Sequence, residues 1–107
     1  MMYFVYMLRC GDGSVYTGIT TDLLRRFKEH RNGKGARYTK SRKVIRIEAA
    51  WECDERSDAL KLEAQIKKLP KYKKEQLITD ENAMRSYLDG KVDINRYHRQ
   101  RSWAEWP

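Results

Sequence analysis

Five side chains of types that take part in catalysis stand in the first two thirds of the sequence: Tyr6, Tyr16, Arg26, His30 and Glu63. Arginine binds anions in a bidentate manner, and a histidine one helical turn later could point at the same anionic group. The alternative for an Arg26–His30 pair is a solvated polar edge of a helix. The spacing alone leaves both interpretations open.

Glu63 is the most informative carboxylate because of its place on a predicted helix. The apolar face of that helix consists of Ala59, Leu62, Ile66 and Leu69, and Glu63 falls beside Ala59 around the helix. A carboxylate in an apolar face is costly unless it is paired with a cation or bound to a metal. Glu63 is therefore a candidate metal ligand, with a salt bridge to a nearby lysine or arginine as the alternative.

Whether the two tyrosines meet depends on the turn that joins the first two predicted strands. An Asp-Gly turn of two residues would pair Tyr6 with Ile19 and put Tyr6 and Tyr16 on opposite faces. A Gly-Asp-Gly loop of three residues, with Gly13 as a bulge, would set them diagonally on one face. Tyr6 would then face Gly18, which leaves room for a backbone or a phosphate. We favour the longer loop because glycine suits a position with positive φ.

Hydrophobic periodicity and turn residues predict the elements that carry these side chains. We expect strands at 3–9, 14–19 and 44–51, and helices at about 22–31, 57–69, 70–78 and 80–90. In the third strand Ile45, Ile47, Ala49 and Trp51 should share one face. The order β-β-α-β-α-α predicts an α+β fold with a small three-stranded antiparallel sheet, flanking helices, a C-terminal helix and a tail. We predict one domain over residues 1–90 and a tail over 91–107.

The chain of 107 residues is strongly basic, with a formal net charge of +8 and a pI of about 9.6. Such a charge attracts nucleic acid, anionic membranes or acidic proteins, and a generic basic surface is the alternative. Here the charge gathers in patches interleaved with aromatic residues, which favours nucleic acid. Cys10 and Cys53 lack disulfide or zinc spacing, so we expect reduced thiols. With no recognisable signal peptide or spanning segment, we expect a cytoplasmic protein without a membrane partner.

Together, these residues resemble the GIY-YIG nuclease family. Its paired motifs match Phe4-Val5-Tyr6 and Tyr16-Thr17-Gly18, with the two tyrosines ten residues apart. Arg26 matches the family's helical arginine, His30 a histidine present in many members, and Glu63 the metal-ligating glutamate. The resemblance is greatest to the small stand-alone bacterial members.

The resemblance covers about residues 2–78, and its most specific segments are 12–22 and 33–39. Three departures are evident. Phe4 replaces a motif glycine, and Ile19 stands where repair-type members carry lysine. A family asparagine that often follows the glutamate has no clear counterpart here, and Ile78 or Asn82 lies near its place.

The resemblance implies a metal-dependent endonuclease that hydrolyses phosphodiester bonds in DNA. Tyr16 or Tyr6 would activate the water, with Tyr16 preferred, and His30 would accept or relay the proton. Arg26 would hold the non-bridging phosphate oxygens, and Glu63 would bind a single Mg²⁺ or Mn²⁺. That metal would stabilise the leaving oxygen.

The basic loop 33–43 is the candidate nucleic-acid-binding segment. We predict that it follows the phosphate backbone through Lys34, Arg37, Tyr38, Lys40, Arg42 and Lys43. A domain this small has little surface for reading bases, so we expect recognition of structure or backbone. DNA is the expected partner, with RNA an open alternative, and the chain should be a monomer or a weak homodimer.

Two other functions and the tail complete the expectations. The alternatives are a catalytically weak nucleic-acid-binding module on the same fold and a basic domain that docks an acidic protein. The tail is rich in aromatic and basic residues, and we expect it to dock partly on the domain. These residues are Tyr97, His98, Arg99, Arg101, Trp103 and Trp106.

Overall fold

The computed structural model describes residues 1–101 and shows one antiparallel sheet with helices on both faces. The strands are β1 (Tyr3–Cys10), β2 (Val15–Thr20), β3 (Val44–Cys53) and β4 (His98–Arg99). The helices are α1 (Leu23–Arg31), α2 (Arg37–Lys40), α3 (Arg56–Lys68), α4 (Lys71–Thr79) and α5 (Ala83–Leu88), followed by a 3-10 turn, Ile94–Arg96. The predicted α+β class is confirmed.

The loop between β1 and β2 has three residues and ends at Gly13, whose φ is 85°. Tyr6 pairs with Gly18 and Leu8 with Tyr16. The favoured register is therefore confirmed, and the two-residue turn is wrong. Because side chains alternate along a strand, this register puts Tyr6 and Tyr16 on the same face of the sheet.

The sheet has the strand order β2-β1-β3-β4, so it contains one strand more than predicted. In the added pairing, Trp51 of β3 faces Arg99, and Glu52 faces His98. A two-residue strand has too little periodicity to be recognised in a sequence. Because β2 lies at the other end of this order, its outer edge is free of any strand within residues 1–101.

The tail packs on the domain as far as the structure describes it. Val92 and Tyr97 are buried in the core. The Arg99 guanidinium donates to the last carbonyls of α4, those of Leu77 and Ile78, at 2.6 and 2.7 Å. Trp103 and Trp106 lie outside the described residues, and the domain boundary at residue 90 stays a prediction.

The expected single apolar face of β3 is wrong. Ile45 is 46% exposed, Ile47 joins the residues packed under α1, and Ala49 and Trp51 pack on the opposite face. The pairing of β3 with β1 shifts register twice, and such irregularities change the face on which the following side chains lie. A sequence pattern with period two cannot anticipate these shifts.

Two apolar clusters lie on opposite faces of the sheet. One joins α1 to β1 and β3 and includes Tyr6, Leu8, Leu23 and Phe27. The other joins α3 to the same strands and includes Val5, Met7, Ala59, Leu62 and Ile66. Helices α1 and α3 thus pack on opposite faces of the sheet.

Two further expectations concern the cysteines and the membrane. Cys10 and Cys53 end β1 and β3, and both are buried and unpaired, as predicted. Among residues 1–101 no helix has the length and apolar character needed to cross a bilayer.

Candidate active site at the β2 edge

A chain of hydrogen bonds begins at the buried Tyr6 phenol and runs through His30. The Tyr6 hydroxyl lies 2.8 Å from His30 Nε2, and His30 Nδ1 lies 2.7 Å from Thr39 Oγ1. Thr39 Oγ1 in turn donates to the Ala36 carbonyl at 2.9 Å. Tyr6, His30 and Thr39 are each about 1% exposed, so no solvent competes for these bonds.

The direction of each hydrogen bond in this chain follows from the last one. Thr39 has one hydroxyl proton, which it gives to Ala36, so it must accept from His30 Nδ1–H. The neutral imidazole then has only Nε2 as an acceptor, and that nitrogen accepts a hydrogen bond from the Tyr6 hydroxyl. The contacts therefore fix the tautomer of His30 and orient the phenol of Tyr6.

Two glycines allow this packing. A Cβ on Gly35 would lie 2.2 Å from His30 Nδ1, and a Cβ on Gly18 would lie 2.6 Å from the Tyr6 hydroxyl oxygen. The room expected in front of Gly18 is therefore filled by the ring of Tyr6 itself. Neither glycine has a positive φ, so close approach, not backbone conformation, requires them.

Tyr16 completes a cluster of three rings with Tyr6 and His30. Its ring centroid lies 6.3 Å from that of Tyr6 and 5.2 Å from that of His30. Unlike Tyr6, the Tyr16 hydroxyl has no hydrogen-bond partner within residues 1–101, and it is not buried. The structure thus brings together two phenols, one engaged and one open to solvent.

Arg26 lies beside the Tyr6 phenol. Burial raises the pKa of Tyr6 well above its ordinary value, and a hydrogen bond from the Arg26 guanidinium opposes part of that rise. Arg26 Nη1 also forms an ion pair with Glu29 Oε1 at 3.0 Å, and both side chains are partly exposed. An anion that binds Arg26 must therefore share it with Glu29 or displace that carboxylate.

Glu63 reaches the same region from α3, on the other side of the β2 edge. Its side chain is 19% exposed, and its charge is among the weaker influences that raise the pKa of Tyr6. Its carboxylate forms a 3.3 Å ion pair with Lys67, one turn later on the helix. The alternative of a lysine salt bridge is thus realised, but an exposed pair of this kind holds the carboxylate only weakly.

No described group of three or more acidic, histidine or cysteine side chains could by itself enclose a metal ion. Glu63 is nevertheless a suitable single ligand for a hard divalent ion. Mg²⁺ usually keeps several waters and binds one or two carboxylates together with substrate phosphate oxygens. The donor set therefore fits a metal completed by water and substrate.

The basic loop 33–43 is partly ordered as α2. Four of its predicted contact residues are exposed cations: Lys34, Arg37, Lys40 and Lys43. Tyr38 stacks near Tyr16 with the ring centroids 5.8 Å apart, and the Arg42 guanidinium lies 3.9 Å above the Tyr38 ring. Arg42 also pairs with Asp12 at 3.1 Å, so this arginine ties the loop to the hairpin turn.

Thr39 and Gly35 are the site residues that the sequence did not single out. Both lie in the predicted nucleic-acid-binding loop, where attention falls on the charged side chains. Gly35 was the available signal in the sequence, because a glycine that no turn requires often marks a place where another group packs closely against the backbone. Asn82, considered near the place of the family asparagine, lines a separate groove with Trp51 and Arg99, and none of the five candidates lines it.

We expect the protein to lose stability as the pH falls from about 6.5 to 4 because of His30. An unfolded histidine takes up a proton near pH 6.5, whereas burial and the Arg26 charge lower the pKa of folded His30 to about 4. Between these values the unfolded state binds more protons, so the free energy of unfolding decreases by up to about 3 kcal/mol. Urea unfolding at a series of pH values measures this slope.

His98, the other histidine of the chain, is exposed and provides the matched control. The His98→Gln variant should keep the slope, and His30→Gln should flatten it. A hydrogen bond from Arg9 lowers the pKa of Glu75 to about 2. Protonation of Glu75 therefore changes the free energy of unfolding only below the ordinary pKa of 4.5, outside the range used for His30. Equal slopes for the wild type and His30→Gln between pH 6.5 and 4.5 would contradict the expectation.

Known proteins match this chain over most of its length. A model of the GIY-YIG catalytic domain matches residues 2–76. UPF0213 protein FN1575 of Fusobacterium nucleatum is 56% identical over 79 residues, which cover 74% of this chain and 79% of that protein. UPF0213 protein BH0048 of Halalkalibacterium halodurans is 47% identical over 79 residues, covering 74% and 84%. The solution NMR structure of the UPF0213 protein BH0048 from Bacillus halodurans matches at a TM-score of 0.50 and 47% identity, with the same coverage.

At the level of class, the fold and the matched domain are those of a nuclease-type domain. More narrowly, the chain belongs to the GIY-YIG family and is similar to small bacterial UPF0213 proteins. The resemblance first noted on its motifs is thereby confirmed.

Proposed function

We propose that this protein is a metal-dependent endonuclease that hydrolyses phosphodiester bonds in DNA, directed by structure or backbone. The observation that carries the proposal is the buried array of Tyr6, His30 and Thr39 beside an open Tyr16 and a cationic Arg26. A buried neutral histidine that accepts a hydrogen bond from a phenol is suited to proton transfer. Binding of DNA alone does not require such a buried pair.

Tyr16 is the group that we assign to the attacking water. Its hydroxyl is free of protein partners within residues 1–101 and is not buried, so a water can reach it. Tyr6 is instead committed to His30, and burial disfavours its anion. In the proposed relay, Tyr16 takes a proton from the attacking water and gives its own hydroxyl proton, by way of a second water, to Tyr6. Tyr6 passes its proton to His30 Nε2, so both phenols end neutral and His30 carries the proton.

Arg26 and Glu63 serve the phosphate from opposite sides of the β2 edge. The Arg26 guanidinium can present two parallel N–H groups to non-bridging oxygens, which lysine cannot copy. Glu63 would hold one Mg²⁺ or Mn²⁺, and such an ion, when bound, supplies charge for the leaving oxygen. Glu29 keeps Arg26 in place before substrate arrives.

The exposed cations of loop 33–43 supply the sequence-independent part of DNA binding. Lys34, Arg37, Lys40 and Lys43 face solvent near Tyr38, which stacks toward Tyr16. Contacts of this kind fix the position of a backbone and carry no base information. RNA remains a second substrate to test, and the cytoplasmic location and the monomeric or weakly dimeric state stay predictions.

A plasmid-nicking assay tests the proposal. With Mg²⁺ or Mn²⁺ the wild type should convert supercoiled plasmid or a branched duplex to nicked product, and a chelator should abolish the reaction. Tyr16→Phe should slow cleavage by about 100-fold or more, as loss of a general base does. Tyr72→Phe is the matched control, because Tyr72 is 63% exposed and lies on α4.

The outcomes separate the candidate functions. Cleavage that persists in Tyr16→Phe and in Arg26→Ala would refute the assigned mechanism. Salt-dependent DNA binding without cleavage by the wild type would favour the binding module. Binding that ignores salt would count against both.

A further inference from the structure

A groove of about 340 Å³ lies where β2 ends, next to the Arg26 guanidinium. Its walls include Thr21 at the end of β2, Arg25, Arg26 and Glu29 from α1, and Arg56 from α3. Two helices that pack on opposite faces of the sheet thus contribute arginines to one groove at the end of β2.

The charges of this groove are not balanced by the protein. Glu29 is its one acidic residue, and that carboxylate already pairs with Arg26 at 3.0 Å. Within residues 1–101, the guanidinium groups of Arg25 and Arg56 have no ion-pair or hydrogen-bond partner. Two exposed, unpaired guanidinium groups in one concave site favour the binding of an anion between them.

Arg56 and Glu63 lie on the same face of α3, because seven residues make two helical turns. Two turns correspond to about 10 Å along the helix. A strand of B-DNA advances about 3.4 Å of helix axis per phosphate, so this separation spans about three nucleotides. A strand whose scissile phosphate lies at Arg26 and Glu63 can therefore place a nearby phosphate between Arg25 and Arg56.

A second groove lies at the opposite end of β2. It is lined by Asp12, Gly13 and Ser14 of the hairpin and by Tyr38, Lys71 and Lys74. Asp12 already pairs with Arg42, and the two lysines leave the groove with more positive than negative charge. The tyrosine pair thus lies between two grooves that present cationic side chains, along a strand of six residues that is about 20 Å long. The predicted binding loop 33–43 contributes Tyr38 to the groove at the hairpin end and no residue to the groove of Arg25 and Arg56.

We propose that the groove of Arg25 and Arg56 binds a backbone phosphate of the substrate strand, two to three nucleotides from the cleaved bond. Nucleic acid then runs along the β2 edge, held on both sides of the tyrosine pair. This inference rests on the proposed nuclease function and adds to it a contact on the side away from the basic loop. The groove carries no base-reading function, because arginines on phosphates fix position only.

Binding of a labelled branched duplex in the presence of chelator tests the groove without any cleavage. Arg25→Gln and Arg56→Gln should each weaken binding about 5- to 10-fold and reduce the slope of log affinity against log salt by about 1. Arg85→Gln is the matched control, since Arg85 is exposed and lies on α5. It should change neither quantity.

Single methylphosphonate linkages, which remove one phosphate charge, locate the contact. The wild type should bind more weakly when the neutral linkage lies two to three nucleotides from the cleavage position. Arg56→Gln should be indifferent to that linkage and remain sensitive to others. Inorganic phosphate alone is added to the wild type while the NMR signals of the arginine side chains are followed. This titration detects a groove that binds free anions but not the DNA backbone.

Each result decides the inference separately from the proposed function. If the wild type cleaves DNA but both arginine variants behave like Arg85→Gln, the groove is not a phosphate site and the nuclease proposal stands. If the arginine variants lose affinity as expected but the wild type cleaves no substrate, the groove stands as a phosphate site and the nuclease proposal fails. Phosphate-induced shifts with unchanged DNA binding would overturn the inference, and a wild type without DNA affinity would overturn both.

Discussion

Glu63→Gln should reduce metal-dependent cleavage by about 100-fold or more while the protein stays folded. The carboxylate is the proposed metal anchor, and an amide cannot supply its negative charge. The fold should tolerate the change, because the side chain is partly exposed and its ion pair is with Lys67 on the same helix. Pairs of this kind contribute about 0.3–0.5 kcal/mol. Cleavage rates measured against Mg²⁺ concentration, with urea unfolding alongside, test both statements.

Lys67→Gln is the control for this prediction. It removes the same 3.3 Å ion pair but leaves the carboxylate in place, so cleavage should stay within about twofold of the wild type. If Lys67→Gln loses as much activity as Glu63→Gln, the loss comes from the broken ion pair, and the assignment of Glu63 as a metal ligand is refuted. Wild-type rates in Glu63→Gln at saturating Mg²⁺ would remove Glu63 from the mechanism.

Gly18→Ala should lower both stability and cleavage. The added methyl group would lie 2.6 Å from the Tyr6 hydroxyl oxygen, 2.8 Å from Tyr6 Cζ and 3.0 Å from Tyr16 Cε2. Tyr6 must then shift, and loss of its 2.8 Å bond to His30 would leave a buried nitrogen without its partner at a cost of about 1–3 kcal/mol. Because the two phenols lose their positions together, cleavage should fall about 100-fold. Urea unfolding and single-turnover cleavage measure the two effects.

Gly11→Ala is the matched substitution in the same hairpin. A Cβ at Gly11 meets its nearest atoms at 3.5 Å, an ordinary contact, and the backbone there has no positive φ. We expect stability within about 0.5 kcal/mol of the wild type and unchanged cleavage. Equal behaviour of the two alanine variants would show that the close approach of Tyr6 to Gly18 is unimportant.

The local elements were predictable because neighbouring residues specify them. The Asp22 side chain caps α1 by accepting from the Arg25 amide, in agreement with the predicted start of that helix at about residue 22, and α4 follows Pro70 as expected. Gly13 has the positive φ that the three-residue loop requires. Asp54 and Ser57 are residues of types that could cap α3, but neither does, since Glu55 precedes that helix and no side chain caps it.

Long-range contacts were not predictable in the same way. The strand β4 forms only because the chain returns from α5 to β3, a pairing that joins Trp51 to Arg99. The register shifts of β3 depend on its contacts with β1, and they moved Ile47 to the other face. Such features are set by packing between distant segments, which no short window of sequence contains.

The sequence by itself determined which five side chains to consider and the family they indicate, and it favoured the register that unites Tyr6 with Tyr16, which the structure then confirmed. Those features follow from residue types, turn chemistry and strand alternation, all of which act over a few residues. Only the tertiary structure decided that His30 accepts from Tyr6, that Thr39 fixes its tautomer and that Gly35 makes room for its ring. These contacts arise when α1, the basic loop and β1 pack together, because burial then requires each polar atom to find a partner.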